Sequence, residues 1–287
     1  MKKFLVAMGL VAFAFVGCDD SSSASAGPND ESGVESSSSS GKVTEPAEVT
    51  SSSCEKAKSS SSGVTLGSEY DESTNKLKDL RDGKIYKTVT IGNQVWMAEN
   101  LNYYDSTNLS VKAKSWCYND SAYYCEKYGR LYTWAAAVDS VKLYRDESID
   151  CGYGRACVLS DTVYGICPQG WHLPSNTEWE SLFSAVGDQS TAAKMLRTTS
   201  GWVDGGNGTD SVGFSALPAG FMTNLDCNGR VGNVGCFGGD GYAAFFWSAT
   251  ENSVYEAYYF ELYYFLEGAS GHYISKNYAY SVRCVRD

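Results

Sequence analysis

A change in composition near residue 66 separates a part of this chain that cannot fold alone from a part that can. Residues 18–66 are rich in serine and acidic side chains and include no aromatic residue. Ordering such a segment costs roughly 1 to 2 kcal/mol per residue in backbone entropy, and little apolar surface is present to offset that cost. From Tyr70 onward the chain carries 36 aromatic residues in 218 positions. We therefore predict a disordered tether over residues 18–66 and one folded domain over residues 67–287.

The first 17 residues are predicted to be a signal peptide. Two lysines precede an uncharged run over residues 4–17, which is too short to span a bilayer of about 30 Å. Cys18 follows the small residue Gly17 in a sequence similar to a bacterial lipobox, with Phe15 in place of the usual leucine. This similarity implies that Cys18 is lipidated and becomes the mature N-terminus. The alternative is an ordinary cleaved signal peptide followed by a stray cysteine.

The charge balance bears on location and partners. The chain has a net charge of −11 and no cluster of Lys and Arg. Nucleic-acid binding depends on a basic surface that neutralises phosphates, so the composition argues against a nucleic-acid partner. Together with the lipobox, these features predict a lipid-anchored protein of the cell envelope, at the outer membrane or the cell surface.

The cysteines predict a disulfide framework. Cys54 lies alone in the tether, where it is either unpaired or joined to another molecule. An even set of eight in an exported domain is typical of disulfides, although eight cysteines allow many pairings. Three near-neighbour pairs can each close a short loop, and the two that remain can pair over a long one. A zinc site is the poorer alternative, because the chain has no C-x-x-C pair and only two histidines. The expected pairs are Cys117 with Cys125, Cys151 with Cys157, Cys227 with Cys236, and Cys167 with Cys284.

Apolar periodicity predicts an α+β domain. Residues 84–98 have β-branched residues on both sides of Gly92-Asn93, which indicates a hairpin. Ser175 and Glu178 have the spacing of a capping box at the start of an amphipathic helix. Two other segments have helical spacing, residues 129–141 and residues 189–198. Four later segments are predicted as short strands: residues 212–217, 245–249, 255–262 and 281–285.

Five separated motifs resemble one known family. They occur in order at residues 79–89, 96–102, 128–134, 167–174 and 282–285. Together they resemble the Fibrobacter succinogenes major paralogous domain family over about residues 75–287. That family is similar to the C-type lectin fold group. The resemblance therefore implies a lectin-like domain with two main helices, short twisted antiparallel strands and long disulfide-stapled loops. It implies a cell-envelope or secreted protein, but no known activity.

Few residues have the spacing that catalysis or metal binding requires. His172 lies just before a helix cap, which is typical of a half-buried histidine bonded to backbone, and no nucleophile is paired with it. Tyr118-Asn119-Asp120 is similar to the calcium-binding tripeptide of C-type lectins. Tyr118 replaces the expected tryptophan, however, and the partner Glu-Pro-Asn motif is absent. We therefore predict no catalytic residue, no metal and no cofactor.

An enzyme remains the third alternative. Leu173-Pro174 followed by Glu178-Trp179 is similar to the formylglycine-generating enzymes, which use two reactive cysteines late in the domain. The late cysteines of this chain are Cys227, Cys236 and Cys284. If they form disulfides, their thiolate chemistry is lost.

Long polar loops favour a binding function. Residues 201–213 and 226–241 are rich in Gly, Asn and Asp, and long ordered loops often carry function. We predict a binding or adhesion lipoprotein that recognises a polysaccharide or an envelope protein. The alternative is a structural or envelope-assembly component without a small ligand. The candidate ligand contacts are Asn224, Asp226, Asn228, Arg230, Asn233, Asp240 and Tyr242.

Overall fold

The computed structural model describes residues 67–112, 114–225 and 231–287, and these form an α+β domain as predicted. The strands are β1 (Ser68–Asp71), β2 (Lys76–Asp79), β3 (Ile85–Ile91), β4 (Gln94–Met97), β5 (Ser115–Trp116), β6 (Leu131–Thr133), β7 (Trp171–His172), β8 (Ala219–Leu225), β9 (Val231–Asp240), β10 (Ala243–Glu251), β11 (Glu256–Tyr263), β12 (Ser270–Ser275), β13 (Ala279–Tyr280) and β14 (Val285–Arg286). The helices are α1 (Leu109–Lys112), α2 (Ala122–Tyr128), α3 (Trp134–Ala137), α4 (Ser140–Glu147), α5 (Asn176–Ala185) and α6 (Ala192–Leu196), with a 3-10 turn at Tyr118–Asp120.

The strands form two sheets. The first has the order β1-β2-β3-β4-β14-β7, so β14 lies between β4 and β7. The second has the order β12-β11-β10-β8-β13-β6-β5, and β9 pairs with β8 beside this path. Strands β8 and β10 are parallel where Ala244 pairs with Gly220. The prediction of antiparallel strands is wrong for this pair, because β9 reverses the chain between β8 and β10.

The hairpin predicted over residues 84–98 is confirmed as β3 and β4. Ile91 pairs with Gln94 across the two-residue turn. Gly92 in that turn has a φ of +59°, a conformation that glycine adopts without a steric penalty. A Cβ atom on Gly92 would lie 3.0 Å from the Cβ of Ala185, the last residue of α5. The turn therefore packs closely against the end of this helix.

Helix α5 joins the two sheets through an aromatic core. It begins with the predicted capping box of Ser175 and Glu178, which satisfies two free backbone N–H groups. Trp179 is 1% exposed. Its ring centre lies 4.8 Å from that of Trp96 on β4 and 5.4 Å from that of Phe246 on β10. Helix α5 thus packs against both sheets, and Trp179 lies at the centre of the contact.

Arg283 fixes the segment that leads into β8. It is fully buried, its Nε donates to Asn100 Oδ1 at 2.8 Å, and its Nη2 donates to the carbonyl of Ser215 at 2.8 Å. The guanidinium lies 4.2 Å from the centre of the Phe214 ring. Burial lowers the pKa of Arg283 to about 9. These contacts hold residues 214 and 215 against the core and so set the position of β8.

Disulfides join distant and neighbouring parts of the chain. Cys236 is disulfide-bonded. Its predicted partner Cys227 lies outside the described residues, as do Cys18 and Cys54. The remaining bonds are three of the pairs that the sequence spacing predicts: Cys117–Cys125, Cys151–Cys157 and Cys167–Cys284.

Several predicted elements are wrong. Residues 129–141 do not form one helix, because Leu131–Thr133 pairs with β5 and β13 as a strand before α3 begins. Residues 212–217 do not form a strand, because the Asp210 carboxylate holds a turn by accepting the N–H and hydroxyl of Ser215, both at 2.7 Å. The described residues contain six α-helices, of which α4 and α5 reach eight residues and α6 lies within the predicted segment 189–198. None of the described helices has the length and apolar character needed to cross a membrane.

Candidate functional site

A groove of about 500 Å³ lies beside the Cys151–Cys157 disulfide. We call it the Asn224 groove. Its walls come from five separate places: β5 and the residue before it, the junction of β6 and α3, the loop around the disulfide, the end of β8 and the turn after β12. The lining residues are Lys114, Trp116, Thr133, Ala135, Asp150, Cys151, Gly152, Tyr153, Arg155, Asn224, Lys276 and Asn277.

A buried ammonium group holds the floor of the Asn224 groove. The Lys276 side chain has no exposed surface and forms an ion pair with Glu251. Its Nζ also donates to the carbonyls of Gly152 at 3.2 Å, Arg155 at 3.3 Å and Val254 at 3.2 Å. Burying a charge is costly unless it is paired and hydrogen-bonded, and Lys276 meets both conditions. It therefore binds the loop around the disulfide to the β10–β11 hairpin.

The loop that carries the groove wall is held from three sides. The Cys151–Cys157 disulfide closes it. The Gly154 N–H donates to the carbonyl of Val254 at 2.8 Å. The rings of Tyr153 and Tyr255 lie 5.1 Å apart, yet Tyr153 remains 52% exposed. These contacts hold the loop backbone, and the exposed Tyr153 ring lines the groove beside Tyr255.

The lining combines aromatic, amide and charged groups. Trp116 is partly buried, with one part packed against the small core around Tyr118. Asn224 and Asn277 are half-buried. An amide side chain both donates and accepts hydrogen bonds, and an aromatic ring offers an apolar face beside them. This combination suits a ligand with many hydroxyl groups and an apolar ring face.

The structure describes the side chains of three of the seven predicted ligand contacts, and these three do not lie together. Asn224 lines the groove. Asp240 pairs with Ala219 at the other end of β8, and Tyr242 follows in the turn before β10. Burial and the hydrogen bond to Asp240 raise the pKa of Tyr128, so Asp240 joins β9 to α2. The side chains of the other four predicted contacts lie outside the described residues: Asp226, Asn228, Arg230 and Asn233.

The predicted loop over residues 226–241 is largely a strand. Residues 231–240 form β9 and pair with β8. A Cβ atom on Gly238 would lie 2.9 Å from the Phe221 ring, and one on Gly235 would lie 2.6 Å from the carbonyl of Thr223. The glycines therefore allow β8 to lie close to β9, and they do not mark a loop.

The sequence did not identify three of the groove residues: Trp116, Tyr153 and Asn277. Residues this far apart in the chain give no local pattern. The one available signal was Tyr153, because an aromatic side chain inside a disulfide loop of this size has little room to be buried.

His172 forms a bridge between two carboxylates rather than the predicted backbone bond. Its Nε2 lies 2.6 Å from Glu178 Oε1, and its Nδ1 lies 2.7 Å from Asp287 Oδ1. Burial opposes the charged imidazolium, but the hydrogen bonds to Glu178 and Asp287 outweigh it and raise the pKa of His172. The same contact lowers the pKa of Glu178 against the opposing effect of burial. With both ring nitrogens engaged, neither is free to take a proton from a substrate.

We expect the bridge at His172 to stabilise the fold most in mildly acidic solution. A raised histidine pKa contributes stability below the ordinary value of 6.5 and loses it as the pH rises through the folded value. The lowered pKa of Glu178 contributes above the ordinary value of 4.5. His172→Gln should therefore cost about 1 to 2 kcal/mol near pH 5.5, since water partly screens the carboxylates, and much less near pH 9.

Denaturant unfolding of both proteins at several pH values measures this difference. His272→Gln is the matched control, because His272 is 54% exposed and lies 3.5 Å from its one carboxylate neighbour in the described residues, Glu261. A cost of His172→Gln that stays constant from pH 5.5 to pH 9 would contradict the ionic bridge.

The described residues do not complete a reactive-cysteine site, a calcium site like that of C-type lectins or another metal site. Cys284 is bonded to Cys167, and Cys236 is also disulfide-bonded, so these sulfurs supply no thiolate while the bonds are intact. Tyr118–Asp120 forms a 3-10 turn, with Asn119 at a φ of +52°. No group of three or more His, Cys, Asp or Glu side chains in residues 67–112, 114–225 and 231–287 is placed to hold a metal ion.

Comparison with known families identifies the family of this domain. The model of the Fibrobacter succinogenes major domain matches residues 89–286. The matched span begins within β3 and includes every residue that lines the Asn224 groove. No curated protein and no solved structure matches the chain significantly.

Proposed function

Because this chain belongs to the Fibrobacter succinogenes major domain family, we propose that it is a binding or adhesion module of the cell envelope that holds a polysaccharide in the Asn224 groove. One observation carries the proposal: an exposed tyrosine, a half-exposed tryptophan and two amide side chains from four segments line a single groove. A sugar ring offers apolar C–H faces for Tyr153 and Trp116, and hydroxyl groups for Asn224 and Asn277.

Rigidity of the groove supports a binding role. Association costs free energy for each side chain or loop that has to be ordered. The disulfide at Cys151 and the bonds of Lys276 order the groove wall before a ligand arrives. A rigid site therefore retains more of its contact energy as affinity.

A lectin-like fold and a lipid anchor complete the proposal. The antiparallel first sheet, the mixed second sheet, the helix α5 packed against both and the loops closed by disulfides support a C-type lectin-like fold. The lipobox-like sequence before Cys18 and the serine-rich residues that follow support an anchored tether. On such a tether, the groove would lie away from the membrane and meet large polymers.

Capture of labelled polysaccharides by cells that produce the full chain tests both parts. The double variant Tyr153→Ala, Asn224→Ala should reduce capture at least about tenfold, because it removes one ring and one amide from the groove. Its melting temperature should fall by only a few degrees, because Tyr153 is 52% exposed and Asn224 is half-buried, so the double variant should lose about 1 kcal/mol of stability. Cys18→Ser should move the captured polymer from the cells to the medium.

Tyr144→Ala is the matched control, because this tyrosine is 64% exposed on α4 and lies outside the groove. Its capture should equal that of the parent chain. If the double variant captures every polymer as well as the parent does, the groove is not the binding site. The structural or envelope-assembly role would then be favoured.

A further inference from the structure

Building on the proposed function, we infer that the Asn224 groove selects saccharides that carry a carboxylate, such as polymers of uronic acid. The chain as a whole is acidic, with a net charge of −11. The groove differs locally, because Lys114 and Arg155 line it against the single acidic side chain Asp150, while the charge of Lys276 is balanced by Glu251. A local excess of positive charge on an acidic protein favours an anionic ligand at that place.

Two of the three cations are available to a ligand. Lys276 has no exposed surface and is paired with Glu251, so it acts on the loop rather than on a ligand. Lys114 is half-buried beside Trp116, and its ammonium has no ion-pair partner in the part of the chain that the structure describes. A ligand carboxylate would give Lys114 that partner.

Arg155 has donors left for a planar anion. Its Nε lies 3.3 Å from Asp150 Oδ2, with the two side chains 65% and 53% exposed. Such an exposed pair contributes little to stability, so a ligand carboxylate can replace Asp150. Among the described residues, Asp150 is the one ion-pair partner of the Arg155 guanidinium. A guanidinium binds a carboxylate through two parallel hydrogen bonds, which matches one uronic acid group.

Binding of the full chain to polygalacturonate and to its methyl ester tests this inference. The two polymers share a backbone and differ in the charge of the carboxyl group. We expect the acid to bind at least about tenfold more tightly than the ester at low salt, because hydrogen bonds to a charged carboxylate are stronger than those to a neutral ester. This advantage should shrink as added salt screens the charges.

Variants that remove positive charge and a variant that removes negative charge should change binding of the acid in opposite directions. Lys114→Gln and Arg155→Gln should each reduce the preference for the acid about threefold to tenfold. Asp150→Asn should increase affinity for the acid, because Arg155 then has no competing carboxylate. Lys142→Gln is the control, since Lys142 is exposed on α4 and lies outside the groove. It should bind both polymers as the parent does.

The possible failures are distinguishable. Equal binding of acid and ester, lost in Tyr153→Ala, Asn224→Ala, would overturn the carboxylate preference and leave the polysaccharide function in place. A preference for the acid that persists in both Lys114→Gln and Arg155→Gln would also overturn the inference, because the anion would bind elsewhere. Absence of binding to any polysaccharide would overturn the proposed function and the inference together.

Discussion

Replacing Cys167 and Cys284 together by alanine is expected to lower the free energy of unfolding by roughly 5 kcal/mol. The bond joins residues 117 positions apart, and closing a loop of that length removes much of the entropy of the unfolded chain. Both cysteines are buried, so the substitution also leaves a small void. Denaturant unfolding of the double variant against the parent measures the loss.

The Cys117–Cys125 bond provides a control of the same chemistry. It joins residues only 8 positions apart, so the same entropy argument predicts a loss of roughly 2 to 3 kcal/mol for the double alanine variant. If the two double variants lose equal stability, loop length does not determine the contribution of the long-range bond.

Trp179→Ala is expected to cost roughly 3 to 5 kcal/mol, the second largest effect. Trp179 lies at the centre of the core that α5 shares with both sheets, against Trp96, Phe214 and Phe246. Its removal loses the transfer free energy of a large ring and opens a cavity between elements that cannot move together freely. Thermal and denaturant unfolding both report this loss, if the variant folds.

Trp179→Phe tests the contribution of ring packing in a variant that is expected to fold even if the alanine variant does not. The indole Nε1 of Trp179 is buried without a hydrogen-bond partner in the described residues. Phenylalanine removes this unsatisfied donor and retains one aromatic ring, so we expect a loss below about 1.5 kcal/mol. A phenylalanine variant as unstable as the alanine variant would show that the core does not depend on ring packing at this position.

Features with a cause inside a few residues could be predicted from the sequence. Ser175 and Glu178 satisfy each other's backbone N–H groups, so their spacing alone defines the start of α5. Gly92-Asn93 defines a two-residue turn for the same reason. The short disulfide loops follow from the closeness of their cysteines along the chain.

Features with a tertiary cause could not be predicted. Leu131 and Trp134 have helical spacing, yet Tyr132 between them pairs with Ser115 and Tyr280 in the second sheet. The glycines of β9 have the sequence pattern of a loop. In the structure, however, the Phe221 ring of β8 covers Gly238. In both places, partners that are distant in sequence override the local preference.

The candidate site depends even more on tertiary structure. Asn224 could be singled out as a polar residue near glycines. Its neighbours Trp116, Tyr153 and Asn277 lie more than 50 residues away in either direction. Lys276 is one lysine among many in the sequence, and only the surrounding carbonyls and Glu251 show that it organises the groove.

The position of β14 has a consequence for biosynthesis. Val285 of β14 pairs with Trp96 on one side and with His172 on the other. The first sheet is therefore complete only when β14, the last of its six strands along the chain, is available. A ribosome releases β4 and β7 long before β14, and until then their facing edges have no partner in this sheet. Unpaired strand edges and contacts of high sequence separation favour slow folding and aggregation. The chain is therefore more exposed to aggregation before β14 joins the sheet than after it.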